Sequence, residues 1–425
     1  MTGISRHIDK VVRYAFRIIL AVWILAQIII ILKTQDIPQF AEAEGYLRIA
    51  KDYAANNVIY PTRDYIENYS AASGYPTYIV YPGYINLLIL TYKLFGTFKA
   101  IFWLNLLFNC ITAASIYYIA INLKGRKFGR IALLLFCLYP LPVMMVSTSL
   151  TEIPSISLIY LSLALASRRN YVLIFLSALL IALAIYVRSV AFLFVLALTV
   201  YMIIAKFRPS IIVTYIVTVT MSCGGIMAVH EYRTGYRFLS ANTLGVNMVM
   251  GANDGAYGPY NVPVGTDSLI DARIEGKNSF QIDSIKTAFA LNWIKQHPAR
   301  WSLLAFPKIG YQLQPKSYSN FGRDDEIIRN QNSVDKAAIL GFKIENFTYQ
   351  WVLLIFAFYG MWLRRKQLLG ADGAILLPFI GGLALAVLTV GHPRYNMPYV
   401  PILIYFAIFT LYSIKRNFEN RLSRR

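Results

Sequence analysis

The sequence predicts an all-α polytopic membrane protein, a bundle of about ten transmembrane helices with two external loop regions. Three observations carry that prediction. The 425 residues are 57% hydrophobic and 15% charged, with a mean hydropathy of +0.50, more apolar surface than a water-soluble fold needs to bury. Apolar stretches of about 16 to 22 residues recur, each near the roughly 20 that a helix needs to cross a hydrocarbon core about 30 Å thick, and strand-like alternation is absent. Basic residues fall in short clusters between those stretches, where they mark cytoplasmic ends.

The spans lie near 11–32, 99–121, 131–148, 151–166, 171–187, 190–205, 211–230, 349–363, 373–390 and 399–414. The basic clusters are Arg6, Lys10, Arg13 and Arg17; Lys124, Arg126, Lys127 and Arg130; Arg168 and Arg169; Lys206 and Arg208; Arg364, Arg365 and Lys366; and Lys415, Arg416, Arg421, Arg424 and Arg425. With all of them cytoplasmic the spans alternate without conflict and both termini end inside. This divides the chain into an N-terminal transmembrane module (1–230, with a first external loop at 33–98), a large external region (231–348) and C-terminal transmembrane helices (349–425). An eleventh span from Tyr78 to Phe95 would put the Lys124 to Arg130 cluster outside. Its Pro82, Gly83 and Asn86 suit an interfacial or re-entrant segment instead. The first span reads as a retained signal anchor. Ala41-Glu42-Ala43 looks like a cleavage site, but it lies about ten residues beyond the apolar region.

A net charge of +20 is explained by these topology signals and by contacts to anionic lipid, so nucleic acid is not the expected partner. Cys110, Cys137 and Cys223 sit inside apolar segments without metal-ligand spacing, which predicts neither a disulfide nor a metal cluster. There is no G-x-G-x-x-G, Walker loop, D-x-D, H-E-x-x-H or G-x-S-x-G. Asp324, Asp325 and Glu326 read as a solvated loop face.

Once direction is fixed, the remaining ionisable groups gather on the outer side: Glu42 and Glu44 in the first loop, Glu152 at the start of the fourth span, Arg188 between the fifth and sixth, and His392 and Arg394 beyond the ninth. Charges at membrane depth are costly unless they face partners or a wet cavity. Carboxylates mixed with guanidiniums suit transfer from a phosphate-bearing lipid to a hydroxyl or amine. A carboxylate takes the acceptor's proton, and Arg presents paired donors to the departing phosphate.

These residues resemble the GT-C superfamily of membrane glycosyltransferases that use polyprenyl-phosphate sugars, such as the protein O-mannosyltransferases and the lipid A aminoarabinose transferase. Glu42-Ala43-Glu44-Gly45-Tyr46-Leu47-Arg48-Ile49-Ala50 is similar to the family's D-x-x-x-Y-x-x-x-A pattern, with Glu replacing Asp, which leaves Glu42 and Glu44 both open as the base. Tyr81-Pro82-Gly83-Tyr84 looks like the juxtamembrane P-P-G-Y segment, and Thr151-Glu152-Ile153-Pro154 resembles the second acidic position. Arg188 stands where relatives carry a cation facing the donor phosphate. Asn247, Gly251, Asn253 and Asp254 are similar to the N-G-V-N…G-N-N-P element, and His392-Pro393-Arg394-Tyr395-Asn396-Met397-Pro398 to the R-Y-R-x-P signature.

The resemblance implies an inverting glycosyltransferase in a bacterial inner membrane, its site facing the periplasm, that moves a sugar from a polyprenyl-phosphate donor to a lipid, glycan or protein acceptor. It implies Glu42 or Glu44 as base, and Glu152 orienting the acceptor or a metal. Arg188, Arg394 and Lys308 would hold the phosphate, and Tyr46, Tyr84, Asn247, Asn253, Asp254, His392 and Tyr395 would line the substrate. No cofactor is required, although a divalent metal is compatible. Plainer readings stand beside these. Glu42 and Glu44 fit the polar face of an interfacial helix, Glu152 fits an N-terminal helix acid, and Arg188 and Arg394 fit headgroup anchors on an unfavoured side. Lys308, in an amphipathic segment after His297, fits a headgroup contact, and His392 a structural hydrogen bond. A flippase would show repeated halves and midplane charges, which are absent. A polysaccharide polymerase or ligase would lack the first-loop carboxylate.

Overall fold

The computed structural model describes residues 3–37, 41–67, 78–258, 273–314 and 333–422, so the Asp324 to Glu326 run lies outside the described residues. Helix α1 (Gly3–Thr34) is followed by α2 (Ala41–Ala55), α3 (Arg63–Glu67) and α4 (Pro82–Phe95). Then come α5 (Ala100–Lys124), α6 (Arg126–Cys137), α7 (Pro140–Met144), α8 (Glu152–Ala166), α9 (Tyr171–Val187), α10 (Phe192–Ile204) and α11 (Pro209–Thr234). The second external region holds α12 (Leu244–Gly251), α13 (Ser279–Gln296) and α14 (Pro298–Leu313). The chain ends with α15 (Ser333–Leu363), α16 (Ala371–Leu388) and α17 (Val400–Leu422), the last two joined through a 3-10 turn at Pro393–Tyr399. Among the described residues there is no strand.

Every predicted span is helical, the third being the pair α6 and α7. Among the described residues five helices reach crossing length and hydropathy by themselves, or six with that bent pair, while α8, α9 and α10 are apolar but shorter. The 51° bend between α6 and α7 has a local cause. Pro140 and Pro142 donate no amide hydrogens, so nearby carbonyls need other donors. Asn109 Nδ2 supplies Pro142 O at 3.0 Å and Gln27 Oε1 at 2.7 Å, and Asn105 Nδ2 supplies Val146 O and Thr148 O at 3.0 Å each. These buried amides are the scaffold of a broken span.

The basic ends meet on one face. Asn122 Nδ2 donates to Ser167 Oγ (2.7 Å), Arg168 stands over Tyr118 (4.8 Å), Arg169 Nη2 donates to Ala205 O (3.2 Å), and both Lys124 and Arg364 lie over Phe409. That juxtaposition is what the charge pattern predicts.

The described residues of the first predicted external loop region form a helical layer on the opposite face. On α2, Ala43, Tyr46, Leu47, Ala50 and Ala54 are buried at helical spacing, while Glu44, Arg48, Lys51 and Asp52 are exposed. The Tyr78 to Phe95 segment becomes α4, whose 14 residues rise only about 21 Å, too little to cross. It packs directly on the end of α9. A Cβ on Gly83 would lie 2.6 Å from the Tyr186 carbonyl carbon, so the glycine sets that approach. Gly83→Ala is expected to cost about 1–3 kcal/mol by overpacking, read as a lower thermal midpoint in detergent. A second, smaller core of Met248, Val249, Ala252, Ala290, Trp293 and Leu304 holds α12, α13 and α14 together.

Candidate active site

Four ends converge on the face away from the basic clusters: the first turn of α2, the start of α8, the end of α9 and the 3-10 turn after α16. Glu152 is the first residue of α8, where the helix dipole favours an acid, with Pro154 in the same turn. Arg188 ends α9 in an extended conformation (φ −158°, ψ 120°) that carries its side chain across to Glu152. Arg394 lies in the 3-10 turn, and Glu42 in the first turn of α2.

The side chains form one chain of ion pairs. Arg188 Nη1 is 2.8 Å from Glu152 Oε1, Arg394 Nε is 3.2 Å from the same oxygen, and Arg394 Nη2 bonds Glu42 Oε2. Tyr46 Oη donates to Glu42 Oε1 at 2.6 Å, and Arg188 Nη1 donates to Thr151 Oγ1 at 2.7 Å. The Arg188 guanidinium stands over the rings of Tyr81 (5.8 Å) and Tyr395 (5.3 Å), and Arg394 over Tyr395 (5.5 Å). Glu152 is 1% exposed, whereas the Glu42 side chain is 37% exposed, so Glu152 is a shared counter-ion and Glu42 the carboxylate open to solvent. Burial works against charge on Arg188, but Glu152 and then Tyr81 outweigh it and hold the guanidinium above its ordinary value.

The helix lengths set the site's depth. The 15 residues of α8 rise about 22 Å against a core of about 30 Å, so with Arg168 and Arg169 at one boundary Glu152 lies several ångströms short of the opposite one. Such depth is tolerated where polar groups pair or meet water.

The remaining predicted residues divide. Tyr84 is buried with its ring edge toward Tyr46 (5.8 Å), and burial followed by the charge of Glu152 raises its phenol well above the usual range. His392 packs on Tyr395 (5.3 Å between rings), and burial, then Arg394, pulls its imidazole down to about 3, so it is neutral at physiological pH. Glu44 is two residues from Glu42 on the exposed side of α2 and outside the cluster. Asn247 Nδ2 donates to Thr243 O (2.8 Å), within its own helix. Asn253 is buried but uses its amide on Val249 O and Gly255 N, shaping the turn after α12. Asp254 is largely exposed and accepts from Trp293 Nε1 (2.9 Å), with Arg300 3.8 Å away.

Lys308 is fully buried and donates to Val387 O (2.8 Å) in the last turn of α16, capping that helix rather than joining the ion-pair chain. A Cβ on Gly391 would lie 2.0 Å from the Lys308 carbonyl oxygen, so α14 rests directly on the segment leading to Arg394. Burial lowers the Lys308 amine to about 8, below the roughly 10.4 of an unfolded lysine. The unfolded chain therefore binds more protons between those values, and stability should rise as pH climbs from about 8 to about 10. Thermal midpoints across that range test this; Lys308→Met should flatten the slope.

Thr151 and Tyr81 were not among the predicted site residues. Both adjoin predicted positions, Glu152 and the Pro82-Gly83-Tyr84 run, and that adjacency is the only signal the sequence carries for them. Among the described residues no group of three or more His, Cys, Asp or Glu side chains could hold a metal ion. Glu42 and Glu152 both face guanidiniums.

No family model and no curated protein matches the sequence. Among solved structures, the chain is similar to the archaeal oligosaccharyltransferase AglB from Archaeoglobus fulgidus, in complex with an inhibitory peptide and a dolichol-phosphate. The TM-score is 0.51 at 10% identity, over 96% of this chain and 52% of that one. The chain shares its fold with that structure. The chain spans about half the length of that oligosaccharyltransferase. ArnT from Cupriavidus metallidurans, bound to undecaprenyl phosphate, is also similar, with a TM-score of 0.40 and 11% identity over 92% of this chain and 77% of that one. In this fold the apolar helices carry the ion-pair chain at one end and the basic clusters at the other.

Proposed function

We propose that the protein is an inverting glycosyltransferase that takes a sugar from a polyprenyl-phosphate donor and gives it to a hydroxyl or amine acceptor outside a bacterial inner membrane. The observation that carries this reading is the unbroken series Glu42, Arg394, Glu152, Arg188, in which each carboxylate faces a guanidinium at the outer end of the bundle. The acceptor attacks the anomeric carbon and the bond from that carbon to the phosphate oxygen breaks. The acceptor's proton passes to Glu42, and the departing phosphate gains one negative charge. Protonating Glu42 removes the partner of one Arg394 nitrogen at the moment that charge appears. Arg394 and Arg188 can then take the phosphate oxygens, with Glu152 as a positioning residue holding both guanidiniums in register.

Two further observations support the reading. Tyr84 Oη, Ser155 Oγ and Asn396 Oδ1 are buried without a hydrogen-bond partner among the described residues; Ser155 and Asn396 lie on segments that build the cluster and Tyr84 stands against Tyr46, where a polyhydroxylated substrate could satisfy them. The similar oligosaccharyltransferase holds a dolichol-phosphate, a lipid phosphate of the same chemical kind. Purified protein should release polyprenyl phosphate from at least one member of a panel of polyprenyl-phosphate pentoses and hexoses when an acceptor is present. No release and no binding across the panel would overturn the proposal.

A further inference from the structure

A cavity of about 250 Å³ lies between α5, α6, α8, α10, α16 and α17. Its deep wall is apolar, with Tyr160, Phe194, Leu198 and Pro401 buried there. The exposed lining residues, Asn122 and Arg169, lie where the basic clusters meet, so the cavity opens at the face opposite the ion-pair chain. Among the described residues, Arg169 is the one charged side chain in its lining. It stands over the Phe207 ring at 4.5 Å and gives one N–H to Ala205 O (3.2 Å), out of the five that a guanidinium carries. The nearby carboxylate, Asp372, is already committed, accepting from Arg364 Nε (2.7 Å) and Tyr405 Oη (2.8 Å). The mouth therefore favours an anion.

We propose that this cavity holds one acyl chain of an anionic phospholipid from the leaflet on the basic side, with the lipid phosphate on Arg169. A void of this size is larger than apolar cavities that stay dry and take up benzene, and water against its deep apolar wall would find few polar partners. An empty wall forfeits dispersion contacts that a bilayer chain can supply. The phosphate suits Arg169, and the neighbouring Arg168, Lys206 and Lys124 favour an anionic headgroup over a zwitterionic one. The bound chain also has a route to the other face. Tyr160 Oη donates to Pro398 O (2.8 Å), and Phe194 stacks on Tyr399 (6.1 Å), both acceptors of contact in the 3-10 turn that carries Arg394. Filling the cavity supports that turn from below.

The test is retention of phosphatidylglycerol by the full chain, read by native mass spectrometry and thermal midpoint in nanodiscs of phosphatidylcholine with and without phosphatidylglycerol. The wild type should keep one phosphatidylglycerol and melt several degrees higher with it, and Arg169→Gln should bind it roughly tenfold more weakly. Ala197→Leu, which narrows the cavity while leaving Arg169 in place, should lose the same lipid. Equal retention in all three proteins overturns the proposal. So does displacement of the retained lipid by undecaprenyl phosphate, one for one, which would assign the cavity to the donor's own chain.

Discussion

Glu42→Gln is expected to lower sugar transfer by about 10²–10⁴-fold, the range for loss of a general base. The substitution is nearly isosteric and keeps an acceptor for Tyr46 Oη, so the ring stays where it is. It removes the group proposed to take the acceptor's proton. Glu44→Gln, on the exposed side of the same helix, should leave transfer within about twofold of wild type, because side chains two residues apart on a helix do not share a face. Steady-state rates for the two variants decide which of the two acids, equivalent in the sequence, is used. Equal losses in both would mean that α2 contributes through its fold and not through one carboxylate.

Glu152→Ala is expected to damage the protein more broadly. Its carboxylate is buried, with Arg188 and Arg394 both on Oε1, so removal leaves two desolvated guanidiniums with one fewer counter-ion. Breaking a buried pair in this way costs about 3–5 kcal/mol, which should appear as a much lower thermal midpoint in detergent. The double variant Glu152→Ala/Arg188→Ala should recover part of that loss, since it deletes one of the stranded charges. Such non-additivity distinguishes an electrostatic origin from a packing one. Should the double variant prove less stable than either single variant by the full sum, Glu152 would be acting through packing.

Much of the architecture is legible in the sequence because a bilayer imposes simple rules. Each apolar segment had to become a helix to satisfy its own backbone, and the basic clusters had to share a side, as the contacts from Lys124, Arg168, Arg169 and Arg364 show. What composition does not convey is depth. The 15 residues of α8 and 13 of α10 are too short to cross alone, since the polar site at their outer ends replaces hydrocarbon. Of the site, the outer-face sorting brought forward Glu42, Glu152, Arg188 and Arg394, all four of which meet. It also brought forward Glu44, and the resemblance added Asp254; both are exposed. Spacing along the chain says which face a residue can reach, while a partner 352 positions away, as Arg394 is from Glu42, is decided by packing. Lys308 illustrates the same limit: its sequence context shows a cation at an interface, and only the close approach at Gly391 reveals it as a helix cap.

The claim that Arg394 is shared between a carboxylate and a lipid phosphate has a signature of opposite signs, measured as the affinity of purified protein for undecaprenyl phosphate in detergent. Glu42→Gln frees Arg394 and should bind the lipid as tightly as wild type or more tightly. Arg394→Lys loses the planar, paired donors and should bind it about 10- to 100-fold more weakly, the worth of one charge-assisted hydrogen bond. If both folded variants bind undecaprenyl phosphate as wild type does, the phosphate sits elsewhere and the mechanism built on this cluster is wrong.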